Sequence, residues 1–185
     1  MIEYIIHNLT AFIALLVSIS SFFLSLKNYR KSIVKFKLSY DTEYSFSFGF
    51  IHYQPYKLLI VYLTIENNSS SDVDISRIKL IDGTKTYISS QIEVADTHND
   101  NGISLLNSTK HLCKPINITS ENILKNSRIS SYGVLSGYAV FENIEPLREP
   151  KNYKLFVETP SKSFSKKIVI NPLLGEFQPI HPLKD

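Results

Sequence analysis

An unbroken run of eighteen uncharged residues, Leu9–Leu26 (LTAFIALLVSISSFFLSL), constrains this chain more than any other stretch. As an α-helix it reaches about 27 Å, close to the ~30 Å hydrocarbon core of a bilayer. Extended back through Tyr4, Ile5 and Ile6, it carries only His7 and Asn8 as strongly polar members. A core helix of a soluble domain would show a charged face, and none is present. A cleavable signal peptide needs a positive n-region and a small-x-small site after the apolar stretch. Here the only charge ahead of the run is Glu3, and Ser18-Ile19-Ser20 lies inside it with apolar residues following. The run therefore predicts one spanning helix, with Tyr4 and Tyr29 as interfacial aromatics at its two ends.

The flanks predict a direction. Lys27, Arg30, Lys31, Lys35 and Lys37 follow the run, and no Lys or Arg precedes it. The positive-inside rule places the N-terminus outside and the rest of the chain in the cytoplasm, on the cell membrane. The five bases are the candidate lipid-headgroup contacts, at roughly 1 kcal/mol each near an anionic surface. The remaining 15 Lys/Arg residues stand against 16 acids beyond position 37, so the net charge of +3 belongs to the helix exit. That distribution argues against a broad nucleic-acid surface. The single cysteine, Cys113, forms no intramolecular disulfide and suits a reducing cytoplasm.

The helix also carries a seam. Ala11, Ala14, Ser18, Ser21 and Ser25 follow a 3, 4, 3, 4 spacing, while Phe12, Ile13, Leu15, Leu16, Ile19, Phe22 and Phe23 occupy the other sides. Small residues let helix backbones approach, and serine hydroxyls bond across such an interface. One expectation is a homo-oligomer, or pairing with a partner's helix. The other is that the serines bond their own i−4 carbonyls.

Beyond Ser32 the pattern changes to period two. Val34–Tyr40, Tyr44–His52, Leu58–Asn67, Val73–Asp82, Thr84–Val94, Arg128–Ser131, Gly133–Phe141, Tyr153–Thr159 and Phe164–Asn171 are strand candidates. Asp82-Gly83 marks a hairpin turn, and a phase slip between Ile75 and Ile78 marks a bulge. Residues 95–127 show no sustained period apart from a helical turn near Ser120–Leu124; the expectation is a variable decorative loop or, as the alternative, a partner surface. The expected layout is a helix and basic exit at 1–31, a β domain at 32–171 and an extended Pro-containing tail at 172–185. The expected fold class is mainly β, an antiparallel sandwich of about eight strands. Phe36, Leu38, Phe46, Phe48, Leu59, Val61, Leu63 and Ile65 are expected to point into its core. So are Ile75, Ile78, Leu80, Ala139, Phe141, Leu155, Val157, Ile168 and Ile170.

No set of residues announces chemistry. His111, Cys113 and His98 fall short of the fixed three or four ligands of a zinc site. Asp96 and Asp100, and Asp72 and Asp74, lack the glycine and terminal Glu of a calcium loop. No phosphate loop or Gly-x-Ser-x-Gly elbow occurs. The expectation is a non-enzyme without cofactor, metal or catalytic residues.

Three stretches carry a likeness: Leu63–Ser69 (LTIENNS) with Val73-Asp74-Ile75, then Gly133–Phe141, then Phe156–Thr159. In them the chain resembles small bacterial single-pass membrane proteins with an immunoglobulin-like β-sandwich. The resemblance implies fold and placement only. The expected function is a membrane-anchored, non-catalytic binding or regulatory module that presents a cytoplasmic β-sandwich to a protein partner and self-associates through its helix. The alternative is a membrane-acting effector whose helices assemble and perturb the bilayer under control of the β domain.

Overall fold

The computed structural model describes residues 2–51, 54–107, 109–173 and 176–183, without the side chains of 2–7, 31 and 32. The readings of Tyr4, His7 and the Lys31 side chain lie outside those bounds, as do residues 52, 174, 175, 184 and 185.

Helix α1 spans Ile2–Ser32. Its stretch Asn8–Arg30 is long and apolar enough to cross a membrane, and none of it is buried against the rest of the chain. Twelve strands follow among the described residues. They are β1 (Phe36–Ile51), β2 (Pro55–Asn67), β3 (Val73–Asp74), β4 (Arg77–Asp82), β5 (Lys85–Ser90) and β6 (Ile103–Asn107). Then come β7 (Leu112–Ile116), a 3-10 turn (Ile123–Asn126), β8 (Arg128–Ile129), β9 (Val134–Glu142), β10 (Lys151–Glu158), β11 (Ser163–Pro172) and β12 (Phe177–Pro179). The chain is mainly β with one N-terminal apolar helix.

The expected immunoglobulin-like sandwich is not what the pairing shows. Seven strands close a barrel in the order β1-β11-β10-β4-β5-β9-β2. Two short ladders decide this. Strand β1 meets β11 in parallel at Phe46↔Asn171 and Ser47↔Pro172, and β5 meets β9 at Ser89↔Phe141 and Ser90↔Val140. Every other ladder of the ring is antiparallel and longer. Strand periodicity is the same in a sandwich and in a ring, so only these distant pairings tell them apart.

The core is double. Leu59, Val61, Leu63 and Ile65 of β2 fill the barrel with Leu80, Phe141, Leu155 and Ile168. The intervening residues Leu58 and Ile60 are also fully buried, on the outer face, with Val140, Ile103, Leu105, Ile116 and Ile118. A strand buried on both faces reads as a continuous apolar run, which is what LLIVYLTI is.

Strand β1 serves both cores through a bulge. Phe36, Leu38 and Tyr40 pack on the barrel interior, whereas Phe46, Phe48 and Phe50 pack on the outer core. Pairing with β2 passes from Asp41↔Tyr62 to Phe46↔Ile60. That slip is odd in residue count, so it turns every following side chain to the other face. The Ser45 hydroxyl repairs the ladder there: it accepts the Tyr62 N–H at 3.0 Å and donates to the Asp41 carbonyl. The expected single core is thus corrected at Phe46 and Phe48.

Segment 95–127 is not a loose loop. Strands β6 and β7 pair within it and β12 of the tail joins β6, so that three strands lie over the outer core. Gly137 permits the close approach of this layer: a Cβ there would meet the Glu121 carbonyl oxygen at 2.4 Å.

Candidate functional site

The end of the barrel nearest α1 is built by a buried asparagine. Asn67 ends β2, and its amide donates to the carbonyls of Ser71 (2.8 Å) and Ser130 (3.0 Å). Its Oδ1 accepts the Ser69 N–H at 3.0 Å and the Ser69 hydroxyl. Buried polar groups require such partners. Asp72 clamps the facing loop, accepting from Ser131 N–H at 2.9 Å and from Arg128 Nη2 at 2.9 Å. The Ser131 N–H, then Arg128, hold its carboxyl below the usual carboxylate range. Tyr132 follows at φ +56°, bonded through its N–H to the Ser69 carbonyl at 3.2 Å. A tyrosine in the left-handed region is uncommon, and these bonds fix it there with its ring 65% exposed.

This end of the barrel and the helix exit enclose a cleft of about 590 Å³, lined by Phe23, Leu26, Lys27, Arg30, Lys35, Asn68 and Tyr132. Asn68 N–H donates to the Lys35 carbonyl at 2.8 Å, which ties the start of the barrel to its rim. No carboxylate lines the cleft. Among the described residues, Lys27, Arg30 and Lys35 have no acidic partner. The cleft thus offers three free cations and a phenol above an apolar floor. Such a set is complementary in charge and polarity to a phosphate group on an apolar chain.

Three of the five expected headgroup residues therefore converge. Lys37 does not join them: it faces Glu66 across the β1–β2 ladder and pairs with it at 2.9 Å. The seam residues Ala11, Ala14, Ser18, Ser21 and Ser25 are all exposed along α1. Ser20, off the seam, donates to the Leu16 carbonyl at 2.8 Å. Ser18, Ser21 and Ser25 make no such bond among the described residues. Asn68 and Tyr132 were invisible as site residues in the sequence. Only the LTIENNS turn and an isolated tyrosine marked them.

The other candidates remain apart. His98 Nδ1 lies 2.9 Å from the Thr97 hydroxyl, while His111 and Cys113 are exposed on the β6–β7 hairpin. No group of three or more His, Cys, Asp or Glu converges among the described residues. A second cleft of about 420 Å³ opens beside the β1 bulge, between Phe46, Leu105, Leu173 and Phe177. Its cation, Lys114, is held by Glu43 at 3.0 Å and lies 3.9 Å over the Tyr44 ring. Tyr44, Tyr62 and Tyr138 form an aromatic cluster beside it, with centroids 6.0 and 4.9 Å apart. Burial, then the charge of Glu121, pushes the Tyr138 phenol up, so it stays protonated and structural.

Comparison of the chain with family models, with curated proteins and with solved structures gives no match.

Proposed function

We propose that the chain is a membrane-anchored, non-catalytic binding module. In this reading α1 spans the cell membrane once with its N-terminus outside, and the barrel stands on the cytoplasmic face to meet a protein partner. The observation that carries it is the cleft between the apolar helix and the barrel: Lys27, Arg30 and Lys35 line it with no acidic partner among the described residues, a set suited to headgroup phosphates. Phe23 and Leu26 complete its lining with an apolar floor suited to acyl chains. Self-association along the Ala/Ser seam is part of the proposal, supported by the three seam serines whose hydroxyls have no partner among the described residues.

The test is made in cells that express the full chain. The protein should resist alkaline extraction from membranes, leave them impermeable to small dyes and crosslink as an oligomer. Ala14→Leu with Ser21→Leu should abolish the crosslink and leave membrane retention unchanged. Extraction of the native chain by alkali would sink the anchored reading. Dye leakage that the double variant abolishes would replace the module with the membrane-acting effector.

A further inference from the structure

The two outer faces of the barrel differ. The layer built by β6, β7 and β12 covers β1, β2 and β9. No described residue forms a layer over the outer face of β11, β10, β4 and β5. Strand alternation and register place Arg77, Lys79, Ile81, Ile88, Asn152, Lys154, Phe156, Glu158, Lys167 and Val169 there.

That face is basic in a way the fold does not require. Four cations share it with one carboxylate, Glu158, which pairs with Lys79 at 2.7 Å. Lys154 stands directly opposite Lys167 in the β10–β11 ladder. Like charges directly opposite one another destabilise a sheet. Neither lysine has an acidic partner among the described residues, and Lys154 only lies 4.7 Å over the Phe156 ring. Between the cations, Ile88 and Val169 are 53% and 41% exposed.

From this we infer that the β11-β10-β4-β5 face is the docking surface for the partner, an acidic protein segment that carries apolar side chains between its carboxylates. The inference deepens the binding-module reading and rests on it. Charge complementarity selects an anion, and the interleaved Ile81, Ile88 and Val169 select a protein. A nucleic acid would want successive stacking platforms, whereas Phe156 is the one aromatic on this face. In the anchored reading lipid headgroups reach only the Arg77–Lys79 end of this face, where Val157 pairs with both Phe164 and Ile78, and not Lys154 and Lys167. Phe164 of β11 stacks on Phe36, the first residue of β1, at 4.8 Å. Lys167 lies three residues further on, about 10 Å along the strand, which exceeds the ~8 Å screening length at physiological salt.

The experiment uses the full chain in neutral detergent and three labelled probes: the peptide (Glu-Ser-Glu-Leu)3, its Gln counterpart and a thymidine oligonucleotide of equal length. Anisotropy should show the Glu peptide bound about tenfold more tightly than the Gln peptide at low salt, with the preference lost at high salt. Lys167→Glu should abolish the preference and raise the melting temperature by about 2–4 °C, since it turns a like-charge pair into an ion pair. Lys154→Glu with Lys167→Glu restores like charges, so it should melt as the native chain does and still not bind. Lys57→Glu, on a lysine already paired elsewhere, should leave binding unchanged. Equal binding of the two peptides, or of native and Lys167→Glu chains, overturns the inference. Tighter binding of the oligonucleotide overturns the choice of partner class. All variants should stay in the membrane fraction, which separates failure of this face from failure of the anchor.

Discussion

Replacing Asn67 by alanine will lower stability by about 3–5 kcal/mol, the cost of removing four buried hydrogen bonds at roughly 1 kcal/mol each. The Ser69 N–H loses its acceptor, while the Ser69 hydroxyl keeps the Ser71 carbonyl at 3.3 Å and the Ser130 carbonyl keeps the Gly133 N–H at 2.9 Å. For a chain of this size, that is a drop of about 10 °C or more in melting temperature. The neighbouring Asn68→Ala is the control. Its side chain is exposed and its backbone N–H still reaches the Lys35 carbonyl, so it should change stability by under about 0.5 kcal/mol. A cost below about 1 kcal/mol at Asn67 would show that the network does not hold the loop. The effect also reaches the cleft, because Asn67 fixes the 69–72 turn on which Tyr132 is bonded.

Neutralising Lys27, Arg30 and Lys35 together to glutamine will remove the preference of the chain for anionic phospholipid. Three bases at about 1 kcal/mol each amount to roughly 100-fold in relative affinity. The measurement is the ratio of labelled phosphatidylglycerol to phosphatidylcholine retained by the purified full chain in detergent. Lys37→Gln should scarcely alter that ratio, since Glu66 already neutralises Lys37. Inorganic phosphate at millimolar concentration should not compete, because it has no apolar chain to place on Phe23 and Leu26. An unchanged ratio in the triple variant, or equal losses in the triple and Lys37 variants, would remove the cleft as a lipid site.

Much of the fold was legible in particular residues. The apolar run marked α1. Asp82-Gly83 marked the β4–β5 hairpin, where Asp82 pairs with Lys85 and Gly83 takes φ +56°. The alternating stretches marked β2, β4, β9, β10 and β11, and most residues expected inside fill the barrel. What stayed hidden was long-range. Ring closure rests on two ladders, each of two residue pairs between strands far apart in sequence. The β1 bulge turns Phe46 and Phe48 to a second core, yet the polar residues 41–45 read as a simple break between two strands. Strands β6 and β7 escaped notice for a physical reason. Ser104 is buried as fully as Leu105, so β6 does not alternate, and Pro115 sits in β7, an edge strand that spares its missing N–H. At the site, the cations of the helix exit were legible from charge clustering alone. Their division into three free bases and a paired Lys37 depended on the β1–β2 register.

The central claim, a helix that holds the barrel on the cytoplasmic side, is tested most directly by the chain's one cysteine. Cys113 is exposed on β7, away from the helix exit. Intact cells expressing the full chain are treated with a membrane-impermeant thiol reagent, then compared with permeabilised cells. The account predicts labelling of Cys113 only after permeabilisation. Labelling in intact cells would put the barrel outside and contradict it.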